Sequence, residues 1–305
     1  MKNLLSLASA ALSRPAKKRR TRATAQPTEA LEDRVLLSNV TVNFQNGDLK
    51  ITGDSADNTL RVTQRGASIS VEGLQGTTVN GVQNMVILTR HVPDDVVVSF
   101  AAGGNNTLVM QDMDVGDDVQ IKGGRGSDHI AFLHGQVGDD VRVKTGNGND
   151  TFYLESTDVQ DSINVNTGSG NDKVGIGGND MQVGDLLINT GRGRDGVVAG
   201  DMEVLNDVQI KTGSGNDFVV LAELDTNDDL SVSLSGGNDE FYAMDLDIQG
   251  DTTINGGSGG DSANQIGLTF GGTLNLNSVE GVIVNNANAR AIDLALCIYD
   301  EFANL

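Results

Sequence analysis

One period dominates this chain. The pattern Gly-x-Gly-x-Asp recurs with its aspartate at Asp128, Asp150, Asp172, Asp195, Asp217 and Asp261. A degenerate copy, Ser-Gly-Gly-Asn-Asp, places Asp239 in the remaining slot, and Ala-Gly-Gly-Asn-Asn places Asn106 one slot upstream. Successive spacings are 22 residues, with a single 23 between Asp172 and Asp195. One further step back reaches Asn84, where the match is weak. A unit this short cannot bury its own apolar side chains. It must bury them against copies of itself, so the period constrains the chain to a stacked repeat.

Each period has the same interior grammar. Apolar residues occupy the second and fourth places after the aspartate: Ile130 and Phe132, Phe152 and Leu154, Val174 and Ile176, Val197 and Ala199, Val219 and Leu221, Phe241 and Ala243. A second alternating pair precedes the next glycine, at Val119 and Ile121, Val141 and Val143, Ile163 and Val165, Leu186 and Ile188, Val208 and Ile210, Leu230 and Val232. Alternation of period two marks strands with one buried face. A third apolar place lies between the two pairs, at Val115, Val137, Val159, Val183, Val204 and Ile248, near a bend. The unit therefore reads strand, corner, strand, glycine turn. Stacked, it predicts an all-β fold, a parallel β-helix (β-solenoid) of about 22 residues per coil. Right-handed winding is the default for parallel crossovers. An antiparallel meander would also alternate, but it would not require every turn to be alike.

The flanks break the period. Residues 1–38 read as a basic disordered leader or sorting segment. Residues 39–100 form an irregular β N-terminal cap with the first rungs, and Asn46-Gly47 there is a hairpin turn. The regular solenoid covers 101–289, and 290–305 is expected to cap the far end as a short helix or a closing strand. The leader has eight basic residues against three acidic, +5, which leaves −26 on the rest of a chain of net charge −21. Such an acidic body argues against nucleic acid as a partner. No apolar run reaches the ~18 residues of a membrane-spanning helix. The single cysteine, Cys297, rules out an internal disulfide and a cysteine zinc cluster. Aspartate outnumbers glutamate 33 to 9 in a chain with 39 glycines, a bias toward tight turns or oxygen ligation of metal.

Two resemblances bear on function. The turn, followed by a large apolar residue, resembles the nonapeptide Gly-Gly-x-Gly-x-Asp-x-U-x of the RTX (hemolysin-type) calcium-binding β-solenoids. Gly123–Asp128 and Gly256–Asp261 match its first six places, and Thr145, Thr167, Thr190 and Thr212 replace the first glycine elsewhere. The resemblance implies several Ca²⁺ sites between stacked turns, with Asp128, Asp150, Asp172, Asp195, Asp217, Asp239 and Asp261 as ligands. This chain has the motif once per coil, whereas RTX arrays have it twice in tandem. The alternative is that each aspartate caps its own turn through backbone N–H groups, with no metal. In the leader, Leu31-Glu-Asp-Arg-Val-Leu-Leu37 resembles the Leu-Glu-Pro-Arg-x-Leu-Leu sorting element of planctomycete surface and exported proteins, with Asp33 for the proline. That implies export or surface sorting.

A second acidic column, Asp118, Asp140, Asp185, Asp207, Asp229 and Asp251 with Ser162 interrupting, reads as a solvated corner or a weak cation edge. The expectation is a non-enzymatic extracellular or cell-surface solenoid, Ca²⁺-stabilised, acting as a structural or adhesion module. Its partners would be divalent cations and a cell-surface polymer or another surface protein. The alternatives are a metal-free structural solenoid and a β-helix polysaccharide lyase or hydrolase. The second would need long loops and sugar-stacking aromatics, and this chain has no Trp and only Tyr153 and Tyr242 within its repeats. His91, His129 and His134 show no nucleophile partner at a recognisable spacing. An ice-binding turn face would need a second threonine column that is missing.

Overall fold

The computed structural model describes residues 38–82, 86–89, 93–100, 103–279 and 281–284. The leader, Asn84, His91 and the C-terminal cap expected at 290–305 lie outside them. The described chain is all strand and turn, and its strands stack in parallel. The predicted pairs of every coil meet their counterparts one coil on. Ile130 pairs with Phe152, Phe152 with Val174, Val174 with Val197, Val197 with Val219, Val219 with Phe241 and Phe241 with Ala263. This is the first sheet. The second sheet runs Val119, Val141, Ile163, Leu186, Val208, Leu230, Thr252 in the same way. Between the sheets, Val137, Val159, Val183 and Val204 form a third column, continued by Thr226 and Ile248.

These three columns meet in one buried core, in which Phe132, Phe152 and Phe241 are among the largest enclosed side chains. Like sits on like because the register is fixed by the turn. Any slip would carry the whole alternating set to the solvent face. The extra residue of the 23-residue coil is absorbed as register shifts between Glu155 and Ser162, at the bend, while both sheets stay aligned.

The N-terminal region departs from the period, and the reason is visible. Asn39–Gln45 and Asp48–Thr52 form an antiparallel hairpin whose turn is Asn46-Gly47, both at positive φ. Thr59–Arg65 and Ser68–Leu74 form a second hairpin. Asp48–Thr52 and Thr59–Arg65 are at the same time the first parallel rungs, against Val96–Ser99 and Thr107–Gln111. Their hairpin partners lie on the far side and cover the free edges of the first coil, which removes an aggregation-prone edge.

Candidate functional site

The turn is built by glycines that no other residue can replace. In Gly213-Ser-Gly-Asn-Asp217, Gly215 has φ of 143°, and a Cβ there would run into the carbonyl oxygen of Gly193 one coil before. The same contact recurs at Gly148, Gly170, Gly193, Gly237 and Gly259. Missing side chains thus let successive turns touch backbone to backbone.

Beneath these turns lies the aspartate column. It is not a solvent-facing edge: all seven predicted aspartates are 0–2 % exposed. Each Oδ1 accepts the backbone N–H of the aspartate one coil earlier. Asp150 accepts from Asp128 at 2.8 Å, Asp172 from Asp150 at 2.8 Å and Asp195 from Asp172 at 2.9 Å. Asp217 accepts from Asp195 at 2.9 Å, Asp239 from Asp217 at 2.7 Å and Asp261 from Asp239 at 3.0 Å. Upstream the column ends in two amides. Asn106 gives its N–H and its Nδ2 to Asp128 Oδ1, at 2.9 and 2.8 Å, and Asn58 does the same to Asn106 Oδ1, at 3.2 and 2.9 Å. The residue before Asn106 in the column is thus Asn58, because the chain leaves the stack for the second hairpin between those two coils.

The other oxygen, Oδ2, is buried without a hydrogen-bond partner in Asp128, Asp150, Asp172, Asp195, Asp217 and Asp239. Burial raises the carboxyl pKa of Asp128, Asp172 and Asp239 to about 6, and shifts Asp150, Asp195 and Asp217 upward as well. The backbone N–H bonds oppose that shift. The threonines of the first motif place form a ladder that sequence reasoning missed, although their recurrence there was the signal. Thr145, Thr167, Thr190 and Thr212 are fully buried, and each donates its hydroxyl to the backbone carbonyl at the equivalent place one coil on, at 3.1 Å. Their protons are therefore committed, and their oxygens face the aspartates only as acceptors. A neutral acid suits this setting: Oδ1 accepts and Oδ2–H donates, the same pattern that the Asn58 and Asn106 amides present.

Two further ladders run outside. Asn105, Asn149, Asn171, Asn216 and Asn238 each accept, on Oδ1, the N–H of the equivalent residue one coil later, at 2.8–2.9 Å, except where Ser127 supplies the acceptor for Asn149 or Arg194 interrupts. The second acidic column behaves likewise. Asp118 accepts from Asp140, Asp140 from Ser162, Asp185 from Asp207, Asp207 from Asp229, Asp229 from Asp251, and Asp251 from Thr273. It is half-buried to exposed, as a solvated corner should be. His129 is half-buried at the start of its strand and His134 is exposed at a bend.

Ca²⁺ takes six to eight oxygens converging on one point. The aspartate column offers one carboxylate per coil, with Oδ1 already facing an N–H and the glycine carbonyls pressed on the next coil. Among the described residues, the set of three carboxylates within 4.8 Å of one another is Asp207, Asp228 and Asp229, at the exposed corner. None of the seven ladder aspartates belongs to it. The arrangement defines a β-solenoid repeat protein with an internal aspartate ladder. Comparison of the chain with protein-family models, curated proteins and solved structures finds no match.

Proposed function

We propose that this chain is a non-catalytic structural solenoid, an extracellular or cell-surface spacer or adhesion module, whose coils are clamped by the buried aspartate ladder. The observation that carries this reading is continuity. From Asn58 to Asp261, each turn N–H in the column is taken by the side chain of the following coil. Cohesion is therefore renewed at every coil, which is what a load-bearing or spacing element needs. The acidic exterior favours cationic or divalent-bridged surface partners, such as a surface polymer or another surface protein. The resemblance of residues 31–37 to a surface-sorting element supports a site outside the cell.

The reading is tested in two ways. Removal of one whole coil, residues 196–217, should leave a folded protein, because Asp195 then meets Asp239 in the place of Asp217. A deletion that abolishes folding would overturn the modular clamp. Antibody labelling of intact cells should detect the full chain, and a chain found only inside cells would overturn the surface role.

Calcium is the second reading, and one observation favours it. Six buried Oδ2 atoms lack partners, and a cation could neutralise them where a proton otherwise would. Melting of the full chain at pH 7.5 after EGTA treatment, with CaCl₂ titrated against an MgCl₂ control, separates the two. A calcium-specific rise in Tm supports ion clamping, whereas an unchanged Tm leaves the hydrogen-bonded ladder alone.

A further inference from the structure

A recess of about 440 Å³ opens beside the glycine turns, lined by Arg194, Asn216, Phe218, Asn238, Glu240 and Tyr242. It forms where two columns break their pattern. In the outer asparagine column, Arg194 stands between Asn171 and Asn216. Its N–H donates to Asn171 Oδ1 at 2.8 Å, but a guanidinium has no acceptor to offer the next coil. Arg194 is exposed and makes no ion pair among the described residues. The column directly after the aspartates runs Thr151, Lys173, Gly196, Phe218, Glu240 and Ser262. Phe218 stands out in it as a half-buried apolar ring.

On one side of Phe218 lies Gly196, where a Cβ would meet nothing within 4 Å, so there is open space beside the ring. On the other side, Glu240 Oε2 accepts the Tyr242 hydroxyl at 3.0 Å, and the Phe218 and Tyr242 rings lie 5.3 Å apart at 45°. Glu240 is thereby held in place, with Oε1 left to accept a further bond. This chemistry narrows what fits. An apolar ligand would strip water from Arg194, Glu240 and two amides without replacing their hydrogen bonds. An inorganic anion would meet Glu240 and gain nothing from Phe218, and a cation would meet Arg194. An acidic polymer would also face the −26 of the chain beyond its leader. A pyranose avoids each conflict. Its C–H face packs on an aromatic ring, and its hydroxyls donate to a carboxylate and accept from a guanidinium or an amide. Arg194 and Glu240 balance in charge, which suits an uncharged sugar. The volume lies within the roughly 300–1,000 Å³ of small-molecule sites.

We propose that this recess binds an uncharged hexose unit of a surface polysaccharide, with Phe218 as the stacking platform and Arg194 and Glu240 as the hydrogen-bonding pair. The inference deepens the adhesion reading above and rests on it for the surface location alone. The clamp is read by folding and the location by labelling of cells, so those readings and this one fail separately.

The test runs the full chain in native gels containing dextran, laminarin or galactomannan, with polygalacturonate and alginate as acidic polymers. At least one uncharged polymer should retard it. Arg194→Ala and Phe218→Ala should weaken the affinity read from that retardation about tenfold or more. Gly196→Phe removes no polar group and fills the open space beside Phe218, so it should abolish retardation. Lys211→Ala removes a charge outside the recess and should leave retardation unchanged. Retardation by none of the uncharged polymers, or by the acidic ones alone, would overturn the proposal. So would retardation that Arg194→Ala and Gly196→Phe both leave intact. If Phe218→Ala does not fold, those two variants decide alone.

Discussion

The two corners of each coil use the same residue for the same bond and reach opposite electrostatic outcomes. At the glycine turn, Asp172 and its column are enclosed, and Oδ1 accepts from the coil before. At the second corner, Asp207 and its column meet water, and Oδ1 accepts from the coil after. Burial raises the pKa of the first set. At the second corner the outcome is set by local partners: burial disfavours the Asp140 anion, but the Ser162 hydroxyl and N–H and the Arg142 guanidinium outweigh it and hold that carboxyl below its usual value. Thr273 does the same for Asp251. The difference teaches that the ladder N–H bond favours the charged carboxylate at both corners, and that enclosure decides whether burial outweighs it.

The largest expected effect breaks the enclosed corner outright. Gly215→Ala puts a methyl against the Gly193 carbonyl at a φ that L residues rarely adopt, and should cost about 3 kcal/mol or more. Gly196→Ala, where a Cβ meets nothing within 4 Å, should be close to neutral. Urea denaturation of both compares them directly.

Next come the aspartates. Asp172→Ala leaves the Asp150 N–H buried without an acceptor and should cost about 1–3 kcal/mol. Asp207→Ala frees an N–H that water can reach and should cost less than about 1 kcal/mol. Asp172→Asn, which reproduces the Asn106 arrangement, should lose little at pH 7. If the two alanine variants melt alike, the contrast between the corners fails.

The pH dependence follows from the same contrast. For Asp128, Asp172 and Asp239 the folded pKa, about 6, lies above the ordinary 3.8, so the folded state binds protons more tightly than the unfolded state. Their contribution is complete below about pH 4, is lost as pH rises toward 6, and is flat above. Calorimetry should therefore show Tm rising as pH falls from 7 to 5, and the triple Asp→Asn variant should flatten that slope. A Tm that falls over this range would show that the column is better charged than neutral.

The smallest effect belongs to the exposed corner. Arg142 bridges Asp118, at 2.6 Å, and Asp140. Its side chain is 43 % exposed, so Arg142→Gln should cost less than about 1 kcal/mol, and less still in 0.5 M salt. Urea denaturation at both salt concentrations measures it.

Most of this fold was legible in the sequence because its information is periodic. Phe152, Leu154, Ile163 and Val165 announce their faces by alternation, and a constant spacing of 22 leaves no freedom over which residue stacks on which. The Asn46-Gly47 hairpin was equally plain, since two successive positive φ values suit that pair. The candidate site was legible only in part. The seven aspartates stand in one column, as their spacing requires, and a ladder is the direct consequence. The member upstream of Asn106 was not legible, because Asn58 returns to the column only after a hairpin that has no period.

By itself, then, the sequence determined the coil length, the register and the two aspartate columns within the repeat, because stacking converts spacing directly into adjacency. Only the tertiary structure decided which way each side chain faces at a bend and what surrounds it. Whether Asp172 lies beneath its turn and Asp207 lies in water depends on the backbone angles of two corners. Those angles set the desolvation of each carboxylate, which no spacing encodes. The same holds for Tyr153 and Val220. Alternation places them on the outer face, but alternation does not say that they are buried there.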